Sequence, residues 1–238
     1  TIFNISPAEA GAIDPQQRLV LEHGYAALHV MGAGTSALLG CGAGVAVGIY
    51  ATEFASVLAQ SPVGRSGYAS TGASLSIASG RISFVLGMQG PCASFETACS
   101  ASLVACHSAA RAAQHRECDV HLVAGVNMML LQSSSAGLAI AGMTSPTGRS
   151  NAFDSRADGF ARGEGVSTLA VWGGAGFVGM RGSAVRQDGR SASLTAPNGQ
   201  AQKVRPRASP WRGKRPACAD ERDEASRPGG AARPHPPH

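Results

Sequence analysis

The sequence predicts an α/β fold, and three observations carry that prediction. Segments patterned as helices alternate with short apolar runs patterned as strands. The 238 residues are 44% hydrophobic, enough to bury a core, which excludes a wholly disordered protein. The 31 glycines are about twice the usual share, while aromatics make up only 5%. Packing must therefore rest on close backbone approach more than on large aromatic anchors.

The elements follow in order. Asp14-Pro15 marks a helix start, because Asp can cap free N–H groups and Pro fits the first helical position. Leu21, Tyr25 and Leu28 then form one apolar stripe, and Arg18 and Glu22 stand four apart as a surface pair. The uncharged run Val30 to Thr52 is long enough to span a bilayer, but it holds six glycines and few large apolar residues. It reads as a loop feeding a buried strand at Val45, Val47 and Ile49. Residues 71–86 read as a helix interrupted at Gly80. Gly90-Pro91 turns the chain into a short strand from Cys92 to Glu96. Cys99 to Gln114, rich in Ala and free of Gly and Pro, predicts a helix of about 24 Å. Val120 to Ala124, Gly165 to Trp172 and Phe177 to Val185 read as further strands.

Charge divides the chain at about residue 203. Residues 1–202 carry 11 Arg and 11 acidic residues, so the body is neutral and shows no basic face for nucleic acid. The whole +5 lies in residues 203–238, which contain 7 of the 13 prolines and no Leu, Ile, Phe, Tyr or Met. Such a segment cannot bury enough apolar surface to offset its ordering entropy, so it is expected to be disordered. Its Arg212-Gly-Lys-Arg-Pro216 run reads as solvated charge.

The six cysteines (Cys41, Cys92, Cys99, Cys106, Cys118 and Cys218) include no CxxC and no zinc-type pairing with His. Their density suits reduced thiols in an intracellular, cytoplasmic protein. No basic-then-apolar signal pattern opens the chain at Thr1.

Cys99 is the main candidate for chemistry. It sits where a short strand turns into a small-residue helix, so the helix dipole and free N–H groups favour a thiolate and an adjacent oxyanion. Position alone fits either this role or that of a buried structural cysteine.

The surrounding residues add a resemblance. Gly90-Pro-Cys-Ala-Ser-Phe-Glu-Thr-Ala-Cys99-Ser-Ala-Ser-Leu103 resembles the active-site signature of β-ketoacyl synthases, the condensing domains of polyketide and fatty-acid synthases. Asp14-Pro-Gln-Gln-Arg-Leu19, Gly125-Val-Asn127, Gly142 to Gly148, Ala152 to Gly165, Arg181 to Ala184, Gln187 to Arg190 and Leu194 to Gly199 continue it in order. The spacing is similar to the modular type I polyketide synthase form.

The resemblance implies that residues 1–202 are part of a thiolase-like, layered αβαβα fold, its N-terminal half, with the family's first strand preceding Thr1. Residues 203–238 form the tail. It also implies an acyltransferase reaction. An acyl group passes from an acyl carrier protein's phosphopantetheine to Cys99, whose backbone N–H forms part of an oxyanion hole. A malonyl group on a second carrier then decarboxylates and attacks the acyl-Cys99, a Claisen condensation. No free cofactor or metal is implied, and neither a membrane nor nucleic acid is an expected partner. A homodimer is expected, paired partly through Cys92 to Glu96.

The sequence departs from the family in places. Glu96 and Ala101 replace the usual Asp and Ser of the signature, and Arg186 stands where Asn is usual. The chain is about a dozen residues shorter than the family between Trp172 and Met180. In the family, two histidines that activate the malonyl group follow the region of Gln202. His23, His29, His107, His115, His121, His235 and His238 match neither motif. His107 lies about 12 Å beyond Cys99 along the helix, too far for direct proton transfer. His121 reads as a strand residue with a local partner. Alternative readings are thus a condensation-deficient remnant that at most self-acylates at Cys99, or a non-enzymatic dimerisation scaffold. Asp154, Asp158 and Glu164 could form a metal cluster, but within the resemblance they are loop-shaping acceptors. Gly40 to Gly44 lacks the spacing of a phosphate-binding turn.

Overall fold

The structure is a computed structural model that describes residues 2–50, 53–174, 176 and 178–203. Helix α1 (Pro7–Ala12) opens with the Glu9 N–H donating to Ser6 Oγ. Helix α2 (Pro15–Val30) starts where the sequence places it. The Gln16 N–H donates to the Asp14 carboxylate at 2.8 Å, a cap worth about 1 kcal/mol. Val20, Leu21, Gly24 and Leu28 form its buried face, with Tyr25 half-buried. Arg18 and Glu22 are exposed and make no ion pair among the described residues.

The uncharged run folds into α3 (Thr35–Leu38), a glycine loop and strand β1 (Gly44–Ile49). All six residues of β1 are buried, so helices cover both of its faces. After α4 (Glu53–Ala59) and a 3₁₀ turn at Pro62–Arg65 come α5 (Ala69–Gly72) and α6 (Leu75–Leu86). The expected break at Gly80 lies instead at Ala73 and Ser74. Gly72 is pressed against α1, where an added Cβ would fall 1.9 Å from the Ala12 carbonyl oxygen. Its own carbonyl accepts from the Asp14 N–H and Gln17 Nε2. Gly80 faces open space, so α6 runs through it unperturbed and ends at Gly87 in the left-handed conformation.

Strand β2 (Cys92–Phe95) leads through a 3₁₀ turn, Ala98–Ser100, into α7 (Ala101–His115), then β3 (Val120–Asn127), α8 (Gln132–Ile140), β4 (Gly165–Trp172) and α9 (Gly199–Lys203). The sheet order is β2-β1-β3-β4, parallel except for β4, which pairs antiparallel to β3. The chain reaches β2 from β1 by way of α6, then crosses over β1 by way of α7 to place β3 on its other side.

Two helix layers sandwich this sheet. On one face Val45, Val47, Ile49, Leu122, Ala124 and Val126 pack with apolar residues of α2 and α6. On the other, Ala46, Val123 and Val171 meet Ala105 and Ala109 of α7. Small residues let α7 sit close. Gly48 and Gly125 are neighbours in register, and a Cβ on either would collide with Ser102.

The strand expected at 177–185 is not formed in its described part. Residues 178–185 have no strand pairing, and Val178 and Val185 are exposed. Ser183 instead bonds to His107 of α7 through its hydroxyl, at 2.9 Å. Phe177 lies outside the described residues, as do residues 204–238 of the expected disordered tail, whereas the first residue of that segment, Lys203, belongs to α9. Among the described residues no helix is long and apolar enough to cross a membrane.

Candidate active site

The carboxyl ends of β1, β2 and β3 and the amino end of β4 lie along one edge of the sheet. In open α/β sheets this edge is where ligands bind. Four segments converge there: Glu53 after β1, Cys99 after β2, Asn127 to Leu131 after β3, and Arg162 to Glu164 before β4.

Cys99 stands in the 3₁₀ turn, exposed, two residues before α7. The preceding Ala98 has φ of 52°, a left-handed conformation that costs a residue with a Cβ about 1 kcal/mol or more. The turn is held by local bonds. The Ser100 N–H and Ser100 Oγ both donate to the Thr97 carbonyl, and the two hydroxyls lie 2.9 Å apart. The first turn of α7 rests on Gly48 and Gly125, so the sheet fixes the height at which the thiol emerges. The expected helix from Cys99 thus begins as a tighter turn, and the thiol is not buried.

The histidines stand elsewhere. His107 is half-buried on α7 with Nδ1 on Ser183 Oγ. His121 is buried in β3, its Nδ1 3.2 Å from Cys118 Sγ and its ring filling the space above Gly44. Burial pushes its pKa down to about 4, opposed by a hydrogen bond to the Val45 backbone. It is neutral at pH 7 and structural, as its sequence position suggested. His29 stacks on Tyr25, and His23 and His115 are exposed; His235 and His238 lie outside the described residues.

Two acidic residues of the 150–164 segment, Asp154 and Glu164, shape loops. Asp154 accepts from the Arg156 N–H, Nε and Nη2, which holds its carboxyl below the usual range. Glu164 accepts from the Met129 N–H at 2.8 Å, and Asp158 is exposed. Among the described residues no three His, Cys, Asp or Glu side chains converge as a metal site.

Sequence reasoning missed Glu53 and the burial of Gln16 and Gln17. Gln17 Nε2 donates to the carbonyls of Thr71, Gly72 and Ser74, and its Oε1 accepts from buried Arg81, which pairs with Glu9 at 2.6 Å. Gln16 Oε1 accepts from the Met128 N–H. Glu53 is buried and accepts from the Leu130 and Leu131 N–H groups, both at 2.7 Å. A usable signal was its position, as the first charge after a long uncharged run ending in a buried strand.

The family model described as "Beta-ketoacyl synthase, N-terminal domain" matches residues 1–172. The chain is 43% identical over 208 residues to a component of the phenolphthiocerol/phthiocerol polyketide synthase of Mycobacterium tuberculosis, covering 84% of this chain and 14% of that protein. It is 41% identical over 208 residues to polyketide synthase GfsB of Streptomyces halstedii, covering 84% of this chain and 4% of that one. Its fold matches the ketosynthase from module 6 of the bacillaene synthase of Bacillus subtilis 168, with a TM-score of 0.74 and 35% identity, over 84% of this chain and 35% of that chain. A Streptomyces albus oxazolomycin ketosynthase domain matches with a TM-score of 0.65 and 31% identity, over 71% of this chain and 30% of the other. The chain therefore spans about a third of the solved ketosynthases and a seventh or less of these curated relatives. The α-β-α sandwich is that of their thiolase-like fold. By sequence and by fold, the chain belongs to the β-ketoacyl synthase family, among the ketosynthase domains of polyketide synthases.

Proposed function

We propose that this chain performs the acyl-loading step of a β-ketoacyl-[acyl-carrier-protein] synthase in polyketide or fatty-acid biosynthesis. The Cys99 thiolate attacks the carbonyl carbon of an acyl thioester carried on the phosphopantetheine of an acyl carrier protein. The carbon–sulfur bond to pantetheine then breaks, the acyl group stays on Cys99 Sγ, and the departing thiolate takes up a proton. The backbone N–H of Cys99 forms part of the oxyanion hole for the intermediate. No free cofactor enters. In the whole synthase, a carrier-bound malonyl group then loses CO2 and its carbanion attacks the acyl-Cys99.

The observation that supports this reading is the left-handed Ala98 immediately before an exposed Cys99, on a turn seated against Gly48 and Gly125. Such a turn presents a nucleophile at the carboxyl edge of a sheet. The five described cysteines are all unpaired, which suits a reducing cytoplasm. Strand β2 is an outer strand with Cys92 and Ala93 exposed, which suits pairing with a second copy.

A second reading, self-acylation without condensation, is favoured by the histidines. His107 is engaged by Ser183 and His121 is buried and neutral. Incubation of the purified chain with an acyl-pantetheine thioester, followed by intact-mass analysis, tests the acyl-loading step. One acyl adduct is expected on the native chain and none on Cys99→Ala. Equal labelling of both, or none, would reject an acyl-accepting role.

A further inference from the structure

Four consecutive backbone amides after β3 are each held by a side chain from another part of the fold. The Met128 N–H donates to Gln16 of α2 at 3.2 Å, and the Met129 N–H to Glu164 at 2.8 Å. The Leu130 and Leu131 N–H groups both donate to Glu53 Oε2. The other Glu53 oxygen faces Arg162 Nη2 at 3.4 Å, while Arg162 Nη1 donates to Ser135 of α8. Asn127 Nδ2 also reaches the Gly163 carbonyl. The bend has no helix or strand of its own and takes its shape from these acceptors.

Glu53 and Arg162 are the demanding members, with side chains only 5% and 10% exposed. Burial opposes ionisation of Glu53, but the Leu131, Ser134, Leu130 and Arg162 donors outweigh it and hold the carboxyl below its usual range. A buried charge is tolerated only where its donors stay in place, so this arrangement favours one geometry for the bend. That geometry brings Met128, Met129, Leu130 and Leu131 to the sheet edge from which Cys99 emerges.

We propose that Glu53 is a positioning residue. With Arg162, it fixes the Met128 to Leu131 bend as a wall at the sheet edge from which Cys99 emerges and so governs which length of chain reaches the thiol. The inference rests on the acyl-accepting reading for its role in the reaction. The wall itself can be tested without acyl transfer.

The test uses the full chain with Glu53→Ala and Glu53→Asp, read in three ways. Amide hydrogen exchange follows Leu130 and Leu131, with Leu122 to Ala124 of β3 as an internal standard. Peptide mapping follows alkylation of Cys99 by N-ethylmaleimide and by N-octylmaleimide. Acylation is followed with acetyl- and octanoyl-pantetheine. In Glu53→Ala, exchange at Leu130 and Leu131 should quicken roughly ten- to a hundredfold, the loss of two charge-assisted bonds, with β3 still protected. The octyl-to-ethyl labelling ratio at Cys99 should shift by at least about fivefold, with the acylation ratio following in the same direction. Glu53→Asp, which keeps the charge, should recover most of both effects.

An unchanged labelling ratio with a loosened bend would overturn the proposal, as would unchanged exchange at Leu130 and Leu131. Loss of protection throughout β3 would make Glu53 a general stability residue and would overturn it as well. If the native chain takes neither acyl group while the maleimide ratio shifts as expected, the acyl-accepting reading fails and the wall stands.

Discussion

Gly48 of β1 and Ser102 of α7 meet backbone to backbone. A Cβ placed on Gly48 falls 2.4 Å from the Ser102 nitrogen and 2.5 Å from the Ala101 carbonyl carbon. Real Cβ atoms do not approach backbone so closely, so any side chain at 48 must push α7 off the sheet. The Cys99 turn, two residues before α7, would move with it.

Gly48→Ala should therefore destabilise the chain by about 1–3 kcal/mol, the usual cost of overpacking. It should also slow Cys99 acylation by more than the lost stability explains. Urea unfolding and intact-mass kinetics on the same variant separate the two effects. Gly137→Ala, at a position with nothing within 4 Å of the added Cβ, serves as the control.

His121 sets a pH dependence with a definite sign. Its folded pKa of about 4 lies below the ordinary 6.5, so the unfolded chain binds the proton more readily. Stability is thus full above pH 6.5 and falls as pH drops toward 4. Between pH 7 and 5 the loss should be roughly 2 kcal/mol. Glu53, with its lowered pKa, adds to the loss only at more acidic pH. Asp14, raised mainly by burial, works in the opposite direction there. Urea midpoints at pH 7 and pH 5 measure the slope, and His121→Asn should flatten it.

Arg81 is buried on α6 and ties α1 to α2 through Glu9 and Gln17. Arg81→Met should cost about 2–3 kcal/mol, because Gln17 and Glu9 lose their charged donor while Gln17 keeps its three carbonyl acceptors. The check is thermal or urea unfolding of the variant beside the double variant with Glu9→Gln. The double variant should recover part of the loss.

The polypeptide of residues 1–238 should release no CO2 from a malonyl thioester above background. His107 on α7 is bonded to Ser183, and His121 on β3 is buried beside Cys118. Sustained release that is lost in Cys99→Ala would contradict this.

Features written in neighbouring residues were legible in the sequence. The cap at Asp14-Pro15, the strand around Val45, Val47 and Ile49, and the position of Cys99 between a strand and a helix each depend on local geometry. So did the family motifs, whose order alone identified the kind of fold. The missed features depend on partners distant in sequence. Glu53 meets amides 77 and 78 residues away, Gln16 meets one 112 residues away, and Arg81 meets Glu9 across 72. The break in the 71–86 helix moved for the same reason, because contact with Ala12 and Gln17 outweighs the local flexibility of Gly80. Residues 178–185 carry strand-like composition, yet Ser183 is bonded to His107 on a helix. Local capping and periodicity are set by the nearest few residues, so the sequence by itself determined the α/β class, most elements and the place of Cys99 between a strand and a helix. Only the tertiary structure decided which buried polar groups hold the edge around that thiol, since a buried charge is defined by the donors that the fold brings to it.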